Sequence, residues 1–462
     1  MEDWPRCRVL TREDIDRIPE LQRLSRTDRE TMKAVSMVLP FRVNEYVIRE
    51  LIDWSAAPND PIYNLVFPQP GMLLPGQLSK IMGLISRGAA DGETEKEVRQ
   101  IQLTLNVHPA GQRELNVPWM DGRPLPGLQH KYRETVLFFP AAGQSCHAYC
   151  TYCFRWAQFT RPDQFRFEAH EADSLARYLR VHREVNSVLI TGGDPLVMRT
   201  DALRRYVEPL LEPSLDHIRS IRFGTKSLSY WPQRFVSDSD AADLLHLFEE
   251  IRATGRHVAL MAHISHPREL EPGVVGDAIR RIRGSGAVIR TQSPVVRGVN
   301  DDADTWAALW RAQVRLGLVP YYMFVARDTG AQHYFRIPLV EALEVYHGAT
   351  RQVSGLGRTA RGPVMSATPG KVVVTGVSRV AGEDVFVLSF LQGRDPDWVG
   401  RPFFASFDPH AAWLDELRPA FGESEFFFEA RFREIKAALT AGRGPRIPPS
   451  VCKIPRHRRH PV

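Results

Sequence analysis

The sequence contains no apolar run approaching the length that crosses a membrane, and its opening MEDWPRCRVL mixes charges instead of placing a basic stretch before a long apolar one. Neither a membrane span nor an export signal is expected. Cysteine is scarce, five in 462 residues, too few for a disulfide framework. Three of the five crowd together, which points to a metal site in a reducing compartment, and so to the cytoplasm. Lysine is scarce as well. Only eight of the 60 basic residues are lysines, and the net charge of +6 comes from arginines spread along the chain, a pattern that argues against nucleic acid as a partner. The densest basic block, Arg456 to His460, lies in a Pro-rich stretch beginning at Gly442. It reads as a solvated tail before it reads as an RNA-binding arm.

What is present divides the chain. Residues 1–110 mix charged and apolar residues at helical spacing and predict an N-terminal helical domain. From about residue 130, short apolar runs alternate with amphipathic stretches, the pattern of repeated strand–helix units and a parallel sheet. The expected strands are 136–140, 187–192, 220–225, 257–264, 287–293 and 320–326, with helices such as 171–183, 240–254 and 302–316 between them. Six such units predict an α/β fold, a partial (β/α)6 barrel over 111–345, with ligands beyond the carboxyl ends of the strands. Residues 346–441 are expected to form a C-terminal segment with its own hairpin, VVVTGV and VFVLSFL, followed by the tail at 442–462.

Just after the first expected strand stands Cys146-His-Ala-Tyr-Cys150-Thr-Tyr-Cys153. The spacing is too tight for a two-half zinc finger. Three thiolates can ligate three irons of a [4Fe-4S] cube and leave the fourth open to a chelating ligand; a zinc site completed by His147 is the alternative. The motif resembles that of the radical S-adenosylmethionine (SAM) superfamily, in which SAM takes the open iron. A second match, Gly192-Gly193-Asp194-Pro195, ends the next strand, where glycines permit close approach to the backbone. By the resemblance Gly192, Gly193 and Asp194 meet SAM. Cys7 and Cys452 read as ordinary thiols.

A lysine, Lys371, stands immediately before VVVTGV. At an apolar boundary desolvation lowers the pKa of a lysine and suits it to react with an aldehyde cofactor, although a lysine merely flanking a strand would look the same. The region from about 110 to 375 resembles the lysine 2,3-aminomutase family. The resemblance is carried in order by Pro126 to Tyr132, the cysteine cluster with Phe154-Arg155, the TGGDPL segment, His266-Pro267, Thr291-Gln292-Ser293, Arg297 to Asp301, Tyr321-Tyr322, Phe335-Arg336 and Pro369-Gly-Lys371. It implies pyridoxal phosphate on Lys371, cofactor contacts from Lys131 and Gln292, and Arg155 on the substrate α-carboxylate. The family usually has arginine at 131, and a further cofactor-binding arginine corresponds to Thr135, so a rearranged phosphate site is expected. A flavodoxin or ferredoxin-like reductant and a homo-oligomer are implied too, without the family's C-terminal metal-binding cysteines.

The substrate positions depart from the lysine-specific pattern. Where those enzymes hold the distal ammonium with two aspartates, this chain has Arg327 and Ser366. An arginine roughly 4 Å from an ammonium costs about 4 kcal/mol, near a thousandfold in binding. The swap resembles the glutamate 2,3-aminomutase branch and predicts an acidic amino acid as substrate, unless Asp328 faces the pocket in place of Arg327. The alternatives are a lysine 2,3-aminomutase and a radical SAM enzyme acting on RNA or a protein side chain; a non-enzymatic basic binding protein would need neither cofactor.

Overall fold

The computed structural model describes residues 7–106, 115–160, 168–169 and 172–441. The basic tail, Cys452 and the expected boundary at 110/111 lie outside them. Among the described residues no helix is long and apolar enough to cross a membrane.

The fold is α/β, built on one sheet of eleven strands whose spatial order follows the sequence. In chain order these are β1 (Leu128–Tyr132), β2 (Thr135–Phe138), β3 (Ser187–Ile190), β4 (Ser220–Thr225), β5 (His257–His263), β6 (Val288–Val295), β7 (Val319–Val325), β8 (Arg361–Ser366), β9 (Gly370–Val380), β10 (Glu383–Gly393) and β11 (Pro402–Ser406). Strands β2 to β8 run parallel, while β1 and β9 to β11 pair antiparallel at the two ends. Between the parallel strands the chain returns through helices that include α1 (Ala172–Val181), α2 (Thr200–Val207), α3 (Ala241–Ala253), α4 (Gly273–Gly284), α5 (Ala303–Arg315) and α6 (Leu339–Arg351). Strand β4 shows why this packs. Ile221 and Phe223 are fully buried, with Phe223 against Phe248 of α3 at 5.4 Å, and alternate with Ser220, Arg222 and Gly224 on the opposite face. Each such apolar side chain contributes about 1.5–3 kcal/mol by leaving water.

The six expected strands all form, within a few residues of the expected bounds, and 370–380 and 383–393 make the expected hairpin. One further parallel strand has no counterpart among the expected ones. β8 begins Arg361-Gly362-Pro363, turn chemistry by composition, yet Arg361 and Val364 pair with Tyr322 and Phe324 of β7 across a register irregularity. Through β8 the C-terminal hairpin continues the sheet, and the three residues 367–369 separate β8 from β9.

The N-terminal region is a helical layer with its own core, and that core also takes in Ala148, Trp156 and Ala157 from the cysteine loop and Tyr230 and Trp231 from beyond β4. The layer therefore lies over the end of the sheet at which the chain leaves the parallel strands.

Candidate active site

The cysteine loop leaves β2 and is pinned by the helical layer. The backbone N–H of Tyr149 donates to the Arg42 carbonyl at 2.8 Å, and that of Thr151 to the Leu65 carbonyl at 2.9 Å. From below, the Tyr152 hydroxyl meets His263 Nε2 at the end of β5 at 2.7 Å and Ser265 Oγ at 3.0 Å. Held in this way, Cys146, Cys150 and Cys153 lie within electrostatic range of one another. Burial raises all three thiols, the Cys150 thiol to about 12, and the Lys226 ammonium pulls Cys150 back down. Thiols that are buried, crowded and close to cations suit a metal group that takes the place of their protons. Among the described residues no three His, Cys, Asp or Glu side chains close on one point as a single ion requires, so geometry lends nothing to the zinc alternative. Its fourth ligand, His147, is stacked against Trp231 with ring centroids 6.1 Å apart and is held neutral by burial, down to about 3.

The segment after β3 packs closely on the cysteine loop. A Cβ on Gly193 would stand 2.3 Å from the Ser145 carbonyl oxygen, and one on Gly192 would stand 2.4 Å from Gln144 Nε2. The glycines let this segment lie against the start of the cysteine loop. The Asp194 carboxylate is buried and hydrogen-bonded to the end of β4. It accepts hydrogen bonds from the Thr225 hydroxyl at 2.8 Å, from the backbone N–H groups of Leu196, Lys226 and Ser227, and from the Ser227 hydroxyl. This buried carboxylate fastens β3 to the end of β4 and positions its neighbours; both its oxygens are already in use.

Lys371 and Ser366 are cross-strand partners on β9 and β8. The Lys371 ammonium lies 4.7 Å from the ring centre of Tyr322 and 5.6 Å from that of Tyr132, and donates to Gln392 Oε1 at 2.9 Å. Burial, helped by the charges of Arg222, Arg327 and Arg361, lowers its pKa to about 7. Ser366 Oγ accepts from Arg327 Nη2 at 3.1 Å. Lys131 is drawn in beside them, with its ammonium bonded to the Ala367 carbonyl and held well below its ordinary pKa by burial and by Arg394 and Arg327. Arg394, which no motif singles out, is fixed by the Thr368 and Leu115 carbonyls and by Asn116. Gln292 lies next to Tyr322 in the β6–β7 register. The guanidiniums of Arg327 and Arg394 share this buried place with two lysines whose charged form burial disfavours, surroundings that an anionic ligand such as a phosphate or a carboxylate would stabilise.

The two halves of the site meet at Phe154. Its ring centre lies 5.1 Å from the guanidinium of Arg155 and 4.1 Å from that of Arg327. Arg155 donates to the Gly192 carbonyl at 2.7 Å and to Thr191 Oγ1 at 3.1 Å, yet its Nε is buried without a partner. An incoming carboxylate would satisfy it. Arg327 and its neighbour Asp328 both border one narrow cleft, with Gln332, Arg336, Trp413 and Glu416.

No protein-family model matches the chain. It is 30% identical over 403 residues, 87% of this chain and 92% of the relative, to the "Putative L-lysine 2,3-aminomutase" of Aquifex aeolicus. It is 26% identical over 236 residues to the L-lysine 2,3-aminomutase of Haemophilus influenzae, half of this chain and 64% of that one. Among solved structures, a radical SAM methyltransferase from Sphaerobacter thermophilus superposes with a TM-score of 0.35 at 16% identity, covering 51% of this chain and 68% of that chain. The likeness to the Aquifex protein runs through almost the whole of both chains, and on it this chain belongs to the lysine 2,3-aminomutase family of radical SAM isomerases.

Proposed function

We propose that this enzyme moves the α-amino group of an amino acid to the neighbouring β-carbon, using a [4Fe-4S] cluster, SAM and pyridoxal phosphate, the cofactors of its family. The observation that carries the reading is the place of Lys371. It is a buried lysine with its pKa lowered to about 7, in a chamber that touches the cysteine loop through Phe154. When bound, the cluster and SAM supply the radical that removes hydrogen, and pyridoxal phosphate supplies the electrophile that carries the migrating nitrogen.

In this reading Cys146, Cys150 and Cys153 ligate the cluster, and the backbone at Gly192 and Gly193 borders SAM, with Asp194 holding that backbone in place. Lys371 carries pyridoxal phosphate. Lys131 and Gln292 contact it, and Arg155 takes the substrate carboxylate on its unpartnered Nε. The parallel strands then form the partial barrel, and the hairpin that follows is its pyridoxal-lysine segment. A flavodoxin or ferredoxin-like reductant, a cytoplasmic setting and a homo-oligomer belong to the same reading. The helical layer packs over the cysteine loop and would keep water from that side of the reacting centre.

For the substrate, the names of the relatives favour lysine, the alternative drawn from the sequence, over the acidic amino acid that Arg327 and Ser366 suggested. One observation sustains the acidic reading as the second: Arg327 is buried and bonded to Ser366, beside Lys371, where it would repel an ammonium and bind a carboxylate. Anaerobic reconstitution followed by product analysis with lysine and glutamate, each alone and then in competition, decides between them. Formation of neither β-amino acid, in a protein loaded with all three cofactors, would remove both substrates.

A further inference from the structure

Two arginines in the sheet are left without a counter-charge. Arg222 on β4 has a buried Nε with no hydrogen-bond partner, and its electrostatic neighbours are Tyr321 and Tyr322. Arg290 on β6 lies over the Tyr321 ring at 5.3 Å. Among the described residues neither guanidinium has a salt bridge or a side-chain hydrogen bond. The two tyrosine rings are 4.2 Å apart, and Lys371 sits against the second of them at 4.7 Å. Tyr321 and Tyr322 thus join Arg222, Arg290 and Lys371 into one neighbourhood.

The adjoining strand positions are neutral. Thr135 of β2, Ser187 of β3 and Ser220 of β4 are successive register partners, and the Ser220 hydroxyl donates to Ser187 Oγ at 2.7 Å. Thr135 is the position at which the family resemblance calls for a cofactor-binding arginine, and this chain has none there. A buried guanidinium with an empty donor is costly until an anion fills it. A phosphate dianion has acceptors enough for two planar forks at once.

We propose that Arg222 and Arg290 together seat the phosphate of pyridoxal phosphate, so that β4 and β6 supply the charge that Thr135 cannot. The inference rests on the assignment of Lys371 as the cofactor lysine. The cations of the chamber then have separate roles. Arg222 and Arg290 hold the cofactor by its phosphate, and Arg327 and Arg155 are left to the substrate.

The test compares binding of pyridoxal phosphate with binding of pyridoxal, which has the same aldehyde and no phosphate, to the full-length cluster-loaded enzyme. The readouts are equilibrium dialysis and the absorbance of the bound cofactor. Each lost guanidinium contact is expected to lower the preference for the phosphorylated form about tenfold. Arg222→Met/Arg290→Met should therefore lose about a hundredfold of that preference at unchanged iron content, and because the preference is a ratio within each variant, any change in the reactivity of Lys371 on loss of the Arg222 charge affects both aldehydes alike. Arg222→Lys/Arg290→Lys keeps the charge and should fall between; it also serves if the methionine pair does not fold. An undiminished preference in both double variants overturns the proposal while leaving the Lys371 assignment standing. Failure of the unaltered enzyme to bind either aldehyde at Lys371 overturns that assignment, and the phosphate seat with it.

Discussion

Ser366 and Lys371 face each other across the β8–β9 pair, so that the side chain that bonds Arg327 and the lysine flanked by Tyr132 and Tyr322 share one face of the sheet. The two backbone positions are thereby one strand spacing apart, about 5 Å. Changes at Arg327 should alter which amino acid is accepted before they alter cofactor attachment. On the second, acidic reading of the substrate, Arg327→Asp is expected to lower glutamate turnover at least a hundredfold and to raise that of lysine, at unchanged pyridoxal phosphate content. Efficient lysine turnover by the unaltered enzyme, with none of glutamate, would show that the arginine does not face the substrate side chain.

Lys371 should react with pyridoxal phosphate at a pH where exposed lysines do not. Borohydride trapping followed by peptide mapping is expected to place the pyridoxyl group on Lys371, with a labelling rate that rises through a midpoint near 7 instead of the value near 10.4 of a free lysine. The sign for stability follows from the same shift. The unfolded chain keeps the proton that the folded chain has lost, so between about pH 7 and pH 10 the stability of the cofactor-free protein increases with pH. Lys371→Met should therefore stabilise that protein more at pH 6 than at pH 10 in urea unfolding.

Cys150→Ala should abolish the brown colour of the reconstituted protein and the reductive cleavage of SAM. Iron analysis and deoxyadenosine assays check this. A variant retaining full iron and making deoxyadenosine would remove Cys150 from the ligand set.

Asp194→Asn turns an amide donor toward donors, because the carboxylate accepts from Thr225, Lys226 and Ser227 at once. A loss of about 1–3 kcal/mol is expected, more than a surface change would produce. Denaturant titration measures it, and a loss within the range of exposed substitutions would mean that the clasp between β3 and β4 is dispensable.

Much of this was legible in the sequence because the signals were local. Parallel strands buried on both faces read as short apolar runs, and three cysteines within one loop announce themselves. The hidden parts depend on distant partners. Asp194 stands in a turn motif that gives no hint of Thr225 and Ser227, more than thirty residues on. β8 was concealed by its own Arg-Gly-Pro start, since pairing to β7 overrode local turn chemistry. Arg394 gave no signal at all, and its place beside Lys131 exists only once the hairpin folds back onto β8.

The three-residue turn at 367–369, between β8 and β9, acts as a ruler. Side chains along a strand alternate sides, so one inserted or deleted residue there that shifted the β8–β9 register would carry Lys371 to the opposite face of the sheet and put Ser366 opposite a neighbouring residue. Length drift, which most loops absorb freely, is closed to this one. Shuffling the hairpin between related enzymes should succeed when the cut falls in the outer turn at 381–382 and fail when it falls within 367–369, even where every residue of the chamber is kept.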